Sequence, residues 1–243
     1  VIKLSLEVPA KQLGLVQAAD LDFVLAHKVL EDHVYAEFFR RRPQGRELIL
    51  DNSKHELGFS LPLADLITAA DRVNPDYVIA PDDFNDPQWT VEQFESTVTV
   101  FNSGERRQKI AAVLVGDTPD VRQDVMKLFW NAPMLCLPYK KPRLEWWDEL
   151  PRPLPWPRIH LLGVSSLAEL AGWSAISKQN GTSFSVDTSK PVRWAMQGRR
   201  IDDGGSLRGG VLTAKALLDA EEMTAEQFSK ALYNIGKLKE ILA

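Results

Sequence analysis

The chain has 243 residues, 44% of them hydrophobic, a formal net charge of -4 and a single cysteine, Cys136. That length and apolar content suffice for one large core of the size found in α/β barrels. The charge carries no global basic signature for nucleic acid, and one cysteine excludes an internal disulfide and a cysteine-rich zinc module.

The hydrophobic pattern alternates short apolar strands with amphipathic helices. Residues 21–27 read as a first buried strand, and residues 31–42 as a helix with Val34, Tyr35, Phe38 and Phe39 on its apolar face. A second strand is predicted over 47–51, followed by a helix over 63–73 with Leu63, Leu66, Ile67 and Ala70 at helical spacing. A third strand, 77–82, precedes a helix over 91–101 with Thr90 as its N-cap. A fourth, 109–117, leads to Thr118-Pro119, a cap followed by a proline at the first helical position. That helix is predicted to run to about Trp130, and a short fifth strand covers 134–137.

Between Pro138 and Pro157 lie six prolines together with Trp146, Trp147 and Trp156, a density that forbids regular sheet and predicts a tryptophan-packed excursion. Alternation resumes with a sixth strand over 158–164, a helix over 166–171 and a seventh strand from Ser183 that ends on Asp187. The eighth strand is placed within Gly210-Val211-Leu212-Thr213, irregular or lost, and a helix over 225–242 closes the chain with Phe228, Leu232, Ile235, Leu238 and Ile241 as its stripe. This order predicts a single (β/α)8 barrel domain over residues 1–243. A dinucleotide-binding sheet would place a glycine-rich turn after the first strand, where His27-Lys28-Val29 stands instead. No run of about 18 apolar residues predicts a membrane span. Residues 1–6 lack the basic region, apolar run and cleavage site of a signal peptide, so a cytoplasmic location is expected.

In a barrel the reacting groups come from the C-terminal ends of strands. The predicted ends carry His27, Asp51, Asp82 with Asp83, Asp117, Tyr139, Gly163 with Ser165, and Asp187. Each Asp is also a common cap or turn residue, Asp117 before Thr118-Pro119 above all. Together they suit nucleophilic and acid/base work on an electrophilic carbon, or a metal site recruiting His27, His55 or His160. The chain has four histidines and neither an H-x-H pair nor an H-E-x-x-H helix, so no metal and no cofactor are predicted. His160, inside a strand, reads as buried and hydrogen-bonded, and His33 as solvated. Asp187, with Pro191 and Arg193 behind it, reads as a covalent nucleophile.

Four motifs in this order resemble the tRNA-guanine transglycosylase family. Asp51-Asn52-Ser53-Lys54 stands for the family's D-S-G-G, Ala80-Pro81-Asp82-Asp83 for A-F-D-E, and Leu161-Leu162-Gly163-Val164 for G-G-L. The most specific is Asp187-Thr188-Ser189-Lys190-Pro191-Val192-Arg193, with Gly198 beyond, for D-x-x-x-P-T-R followed by Gly. Where the family carries V-Q-G-G this chain has Leu114-Val115-Gly116-Asp117, and Cys136 alone cannot supply the family's zinc subdomain. The chain therefore resembles the compact, zinc-less, DNA-modifying members of phages and genomic islands, for which the location would be the host cytoplasm.

The resemblance implies replacement of guanine in a polynucleotide, DNA rather than tRNA, by a free 7-deazaguanine base such as preQ0. Asp187 would be the nucleophile at C1′ and Asp51 the general acid/base. Asp82 would accept hydrogen bonds from the purine, Gly163 would shape the pocket, and Phe84 and Tyr139 would stack on the base. Arg193, Arg199 and Arg200, with Lys140 and Lys141, would contact phosphates, while Arg40-Arg41-Arg42 with Arg46 reads as a solvated face. Association into a homodimer is compatible with this reading, as are a metal-dependent barrel hydrolase and a non-catalytic nucleic-acid-binding relative.

Overall fold

The computed structural model describes residues 1–104, 106–139, 143–164, 166–202, 220 and 222–243. Its strands are β1 (Ile2–Leu6), β2 (Asp22–Leu25), β3 (Leu48–Asp51), β4 (Tyr77–Ile79), β5 (Lys109–Val113), β6 (Leu135–Leu137), β7 (Arg158–Leu161) and β8 (Ser183–Thr188). Among the described residues the helices are α1 (Ala26–Glu31), α2 (His33–Arg40), α3 (Lys54–Leu57), α4 (Leu63–Val73), α5 (Pro87–Asn102), α6 (Pro119–Leu128), α7 (Leu167–Asn180), α8 (Lys190–Met196) and α9 (Ala225–Leu242). Eight parallel strands alternate with helices in a nearly closed (β/α)8 barrel with an imperfect seam, in the sheet order β1-β8-β7-β6-β5-β4-β3-β2. Strands β2, β3, β4 and β6 are buried at every position, as parallel strands covered on both faces must be.

The chain forms two compact units, residues 1–22 with 161–243 and residues 23–160. In the first, β1 pairs in parallel with β8, setting Ser5 opposite Asp187. The Ser5 hydroxyl donates to the Val186 carbonyl at 3.0 Å, which satisfies a buried polar group within the sheet. Asp20 closes the turn after β1: its carboxylate accepts from the Leu4 amide at 2.9 Å and pairs with Lys239 of α9 at 2.6 Å. Helix α9 opens with a reciprocal capping box between Thr224 and Gln227.

The fully buried Asn234 ties α9 to α8 and to the chain beyond it. Its Oδ1 accepts from the Ile201 amide at 2.8 Å, and its Nδ2 donates to the carbonyls of Pro191 and Arg199 at 3.1 and 3.2 Å. Asn234→Ala strands these buried groups, and urea unfolding is expected to show a loss of about 1–3 kcal/mol. A loss under about 0.5 kcal/mol would show that water replaces the amide there.

In the second unit, Arg42 binds the carbonyls of Arg46, Val73 and Asn74, joining α2 to the end of α4. Arg158 pairs with Glu47. The excursion after β6 packs as predicted around its tryptophans: Trp146 and Trp156 are buried, and the Trp156 indole donates to the Phe129 carbonyl at 2.8 Å.

Several sequence expectations change. The eighth strand of the barrel is supplied by Ile2–Leu6 at the start of the chain, whereas the stretch predicted for it, 210–213, lies outside the described residues. Lys3 and Ser5 mask that strand's apolar face in a simple hydrophobic scan. The predicted helix over 31–42 breaks at Asp32, whose carboxylate accepts from the Val34 and Tyr35 amides and starts α2 afresh. The new start rotates Val34 outward, 72% exposed, and buries Tyr35, Ala36 and Phe39.

Helix α5 starts earlier than predicted because Asp86, with Pro87 behind it, caps the helix through the Trp89 amide. Thr90 lies inside the helix and donates to the Asp83 and Asp86 carbonyls. Helix α7 runs on to Asn180, until Gly181 takes the left-handed conformation that ends it. Of the predicted stripe of helix α9, Ile235 and Leu238 are buried as expected and Leu232 is exposed, while Ala231, Asn234 and Leu242 complete the buried face. The Thr118 cap of α6 and the span of α4 stand as predicted.

Candidate functional site

In the first unit, β8 delivers Asp187 near its C-terminal end, where the carboxyl is 2% exposed. Its Oδ1 accepts from the Gly163 amide at 2.9 Å. Gly163 has a φ of +63°, a left-handed conformation in which a side chain would be strained, so the glycine follows from the turn that aims its N–H at the carboxylate. At the last residue of β8 the Thr188 hydroxyl accepts from the Lys190 amide at 3.1 Å, and Pro191 sits in the first turn of α8. Sequence reading named both residues, Asp187 as a nucleophile and Gly163 as part of a base pocket, and the structure joins them through this hydrogen bond.

The second unit holds a connected cluster after β3 and β4. Asp51 is the last residue of β3, and its Oδ2 accepts from the Ser53 amide at 2.7 Å. Ser53 itself adopts φ +65°, rare for a residue with a side chain, and its hydroxyl accepts from the His27 amide at 3.0 Å. Such a conformation costs on the order of 1–3 kcal/mol and marks places where geometry is held for a purpose.

Asn52 bridges the two strand ends. Its Nδ2 donates to the Ala80 carbonyl and to Oδ1 of Asp82, both at 2.8 Å, and its Oδ1 accepts from the Lys54 amide at 3.0 Å. Asp82 lies in the loop beyond β4, fixed by the Ser60 hydroxyl, which accepts from its amide at 3.0 Å and donates to its carbonyl at 2.8 Å. Burial pushes the Asp82 carboxyl above the usual carboxylate range. The Asn52 donor and the Lys54 charge oppose that rise, and Asp83 adds to it. Lys54 also pairs with Asp83 at 3.5 Å.

Sequence reading gave Asn52 and Ser53 as motif members without a role of their own and did not single out Ser60. Asn52 and Ser53 follow a predicted strand-end Asp, which is a signal of position alone. Ser60 carries no signal, because only the fold brings it to Asp82.

The remaining predicted residues divide by placement. Phe84 lies nearly parallel to Trp146, with ring centroids 6.4 Å apart, so a protein ring already occupies one stacking position. Tyr139 is 47% exposed, and Asp117 is exposed. His27 lies in α1, beyond the strand end where it was predicted, and its buried side chain follows from that helix. His160 is buried in β7 and stacks on Phe23 at 5.3 Å, while His33 is exposed.

Arg193 lies half-buried on α8, Arg199 follows that helix, and the Arg200 guanidinium sits 4.8 Å from the centre of the Tyr233 ring. Lys140, Lys141 and Ser165 lie outside the described residues. Arg143 is buried and donates to the Leu137 carbonyl at 2.9 Å, which ties the excursion to the end of β6. Arg40 and Arg41 are both engaged by Glu37, which the two guanidinium groups lower to about 2.

Among the described residues, no group of three or more His, Cys, Asp or Glu is arranged to hold a metal ion. No helix among them is long and apolar enough to cross a membrane. A cleft of about 870 Å³ in the second unit is lined by Asp76, Tyr77 and Lys109 at the starts of β4 and β5. It therefore stands at the ends of those strands that serve stability in this class of fold.

The fold places the protein in the (β/α)8 class, which hosts many unrelated reactions. Comparison with protein-family models and with curated proteins finds no match. Among solved structures the chain is similar to a protein of Coccidioides immitis assigned as a fructose-1,6-biphosphate aldolase. That match has 12% identity and a TM-score of 0.54, covering 100% of this chain and 91% of the other. It also matches a mutant methylaspartate ammonia lyase of Clostridium tetanomorphum at 10% identity and a TM-score of 0.49, covering 99% of this chain and 60% of the other. At these identities the first likeness concerns the fold alone.

Proposed function

We propose that the chain is a base-exchange transglycosylase that replaces guanine in a polynucleotide, DNA in preference to tRNA, with a 7-deazaguanine. The observation that carries the reading is Asp187, buried near the end of β8 with its carboxyl accepting a hydrogen bond from the Gly163 amide. A carboxylate nucleophile needs such a fixed approach to carbon, because orientation contributes much of the rate of a displacement.

Asp187 attacks C1′ of the target nucleoside, the C1′–N9 bond breaks, and guanine leaves with a proton as a glycosyl ester forms. The incoming base then loses its N9 proton, attacks the same carbon and releases the Asp187 carboxylate. Two displacements give net retention at C1′. By the family resemblance, Asp51 would handle the purine's protons and Asp82 would accept hydrogen bonds from its edge. A base in a duplex must leave its stack before this chemistry.

The test is incubation with duplex DNA or tRNA and labelled guanine or preQ0, followed by nucleoside mass spectrometry. Label is expected in DNA, with C1′ configuration retained. Absence of label in both polynucleotides, with either base, would overturn the reading.

A further inference from the structure

We propose that the cleft at the starts of β4 and β5 binds a small phosphate monoester whose body carries hydroxyls, a sugar phosphate in chemical class. The cleft lies wholly within the unit of residues 23–160, and the assignment does not rest on the base-exchange reading. It stands at the strand ends opposite those beyond which Asp51 and Asp82 are placed.

The floor of the cleft is built before any ligand arrives. The Asp76 amide donates to the Leu48 carbonyl at 2.9 Å, and its carbonyl accepts from the Lys109 amide at 2.9 Å. Its Oδ2 accepts from the Leu48 amide at 2.8 Å. Asn74 takes the left-handed conformation, φ +48°, that ends α4, and its Oδ1 accepts from Nε2 of Gln108 at 2.9 Å. A wall fixed in this way loses little freedom on binding.

Charge selects the ligand. Three carboxylates line the cleft, and each is already met by an arginine. Arg106 holds Asp71 through two hydrogen bonds at 3.2 and 2.9 Å, Arg42 pairs with Asp76 at 3.6 Å, and Arg158 pairs with Glu47. Those pairs leave Arg107 and Lys109, both exposed, as surplus positive charge in the lining. Among the described residues neither has an ion pair, and the Lys109 ammonium lies 5.3 Å from the centre of the Tyr77 ring. In a chain of net charge -4, two uncompensated cations two residues apart in a hollow complement a dianion. A phosphate monoester supplies that charge and three acceptor oxygens.

The rest of the lining selects the body of the ligand. The Asp71 and Asp76 side chains are 54% and 49% exposed, so their oxygens can still accept from hydroxyls. No aliphatic side chain other than the Pro75 ring lines the cleft, which leaves little for an alkyl group to pack against. Its volume of about 870 Å³ exceeds what a phosphate alone would fill and lies in the range of small-molecule sites.

The experiment is calorimetric titration of the whole chain at low ionic strength with ribose 5-phosphate, inorganic phosphate, ribose and a single-stranded oligonucleotide. Ribose 5-phosphate is expected to bind with a Kd on the order of 1 mM or tighter, inorganic phosphate more weakly, and ribose not measurably. Added salt should weaken the binding. Arg107→Ala and Lys109→Ala, at exposed positions that leave the fold intact, are each expected to weaken ribose 5-phosphate about tenfold. Lys127→Ala, which removes one exposed cation of α6 outside the cleft, is expected to leave it unchanged. No binding of ribose 5-phosphate at about 10 mM would overturn the assignment. So would affinity unchanged in both cleft variants, or a loss in them of oligonucleotide affinity in place of ribose 5-phosphate affinity. Each of these outcomes leaves the exchange reading intact, and a chain that exchanges no base can still bind ribose 5-phosphate here.

Discussion

If Asp187 is the nucleophile of the proposed base exchange, Asp187→Asn is expected to lower guanine exchange by on the order of 10⁴-fold or more. The substitution is nearly isosteric, and the amide's Oδ1 can still accept from the Gly163 amide, so the local turn is retained. What is lost is the charge that makes the oxygen nucleophilic. Two measurements separate this from a packing effect. Intact-protein mass spectrometry after denaturing quench should show a glycosyl adduct on the unmodified protein and none on the variant. The urea unfolding curve of the variant should lie close to that of the parent. A variant retaining more than about a tenth of the parent rate would rule out Asp187 as nucleophile, since loss of a covalent step cannot be that mild.

The second large effect concerns the architecture rather than the reaction. Arg122 of α6 is buried and makes a bidentate pair with Glu149, at 2.7 and 2.6 Å, while its Nη1 donates to the Gly116 carbonyl at 2.9 Å. Its guanidinium also lies 4.6 Å from the centre of the Trp146 ring. One side chain thus ties the excursion after β6 to the turn after β5.

Glu149→Ala leaves the guanidinium buried without its counter-charge, and a loss of about 3–5 kcal/mol in unfolding free energy is expected. Replacing both residues with apolar ones of similar size should cost less, because no charge is then left unpaired. Chemical denaturation of the single and double variants checks this. A single-variant loss under about 1 kcal/mol would show the pair to be solvated and worth no more than a surface ion pair. In the same turn Gly116 has φ +121°, and a Cβ there would come within 2.7 Å of Val121 Cγ1. A glycine is therefore required locally, whatever the neighbouring residues contribute to a ligand.

The sequence by itself determined the barrel class, because alternation of apolar strands and amphipathic helices is a local property of the chain. Thr118-Pro119 capped α6 as written, the 3.6-residue spacing placed α4, and prolines with tryptophans marked the excursion. Sequence also placed Asp51, Asp82 and Asp187 at strand ends, since a hydrophobic run ending on Asp is visible without a fold; β4 stops at Ile79, so Asp82 stands in the loop beyond it.

The tertiary structure decided what depends on partners distant in the chain. Ile2–Leu6 became a strand because β8 offers it a parallel edge some 180 residues away, a pairing that hydrophobic pattern alone does not encode. The N-terminus of α2 was set by Asp32 bonding two amides, which outweighed a continuous helical pattern and turned Val34 to solvent. Gly163 beside Asp187, and Asn52 and Ser60 around Asp82, are likewise products of folding. Sequence named the carboxyls; the Asn52 donor at Asp82 and the Gly163 donor at Asp187 reach them from other parts of the chain, which only folding brings alongside.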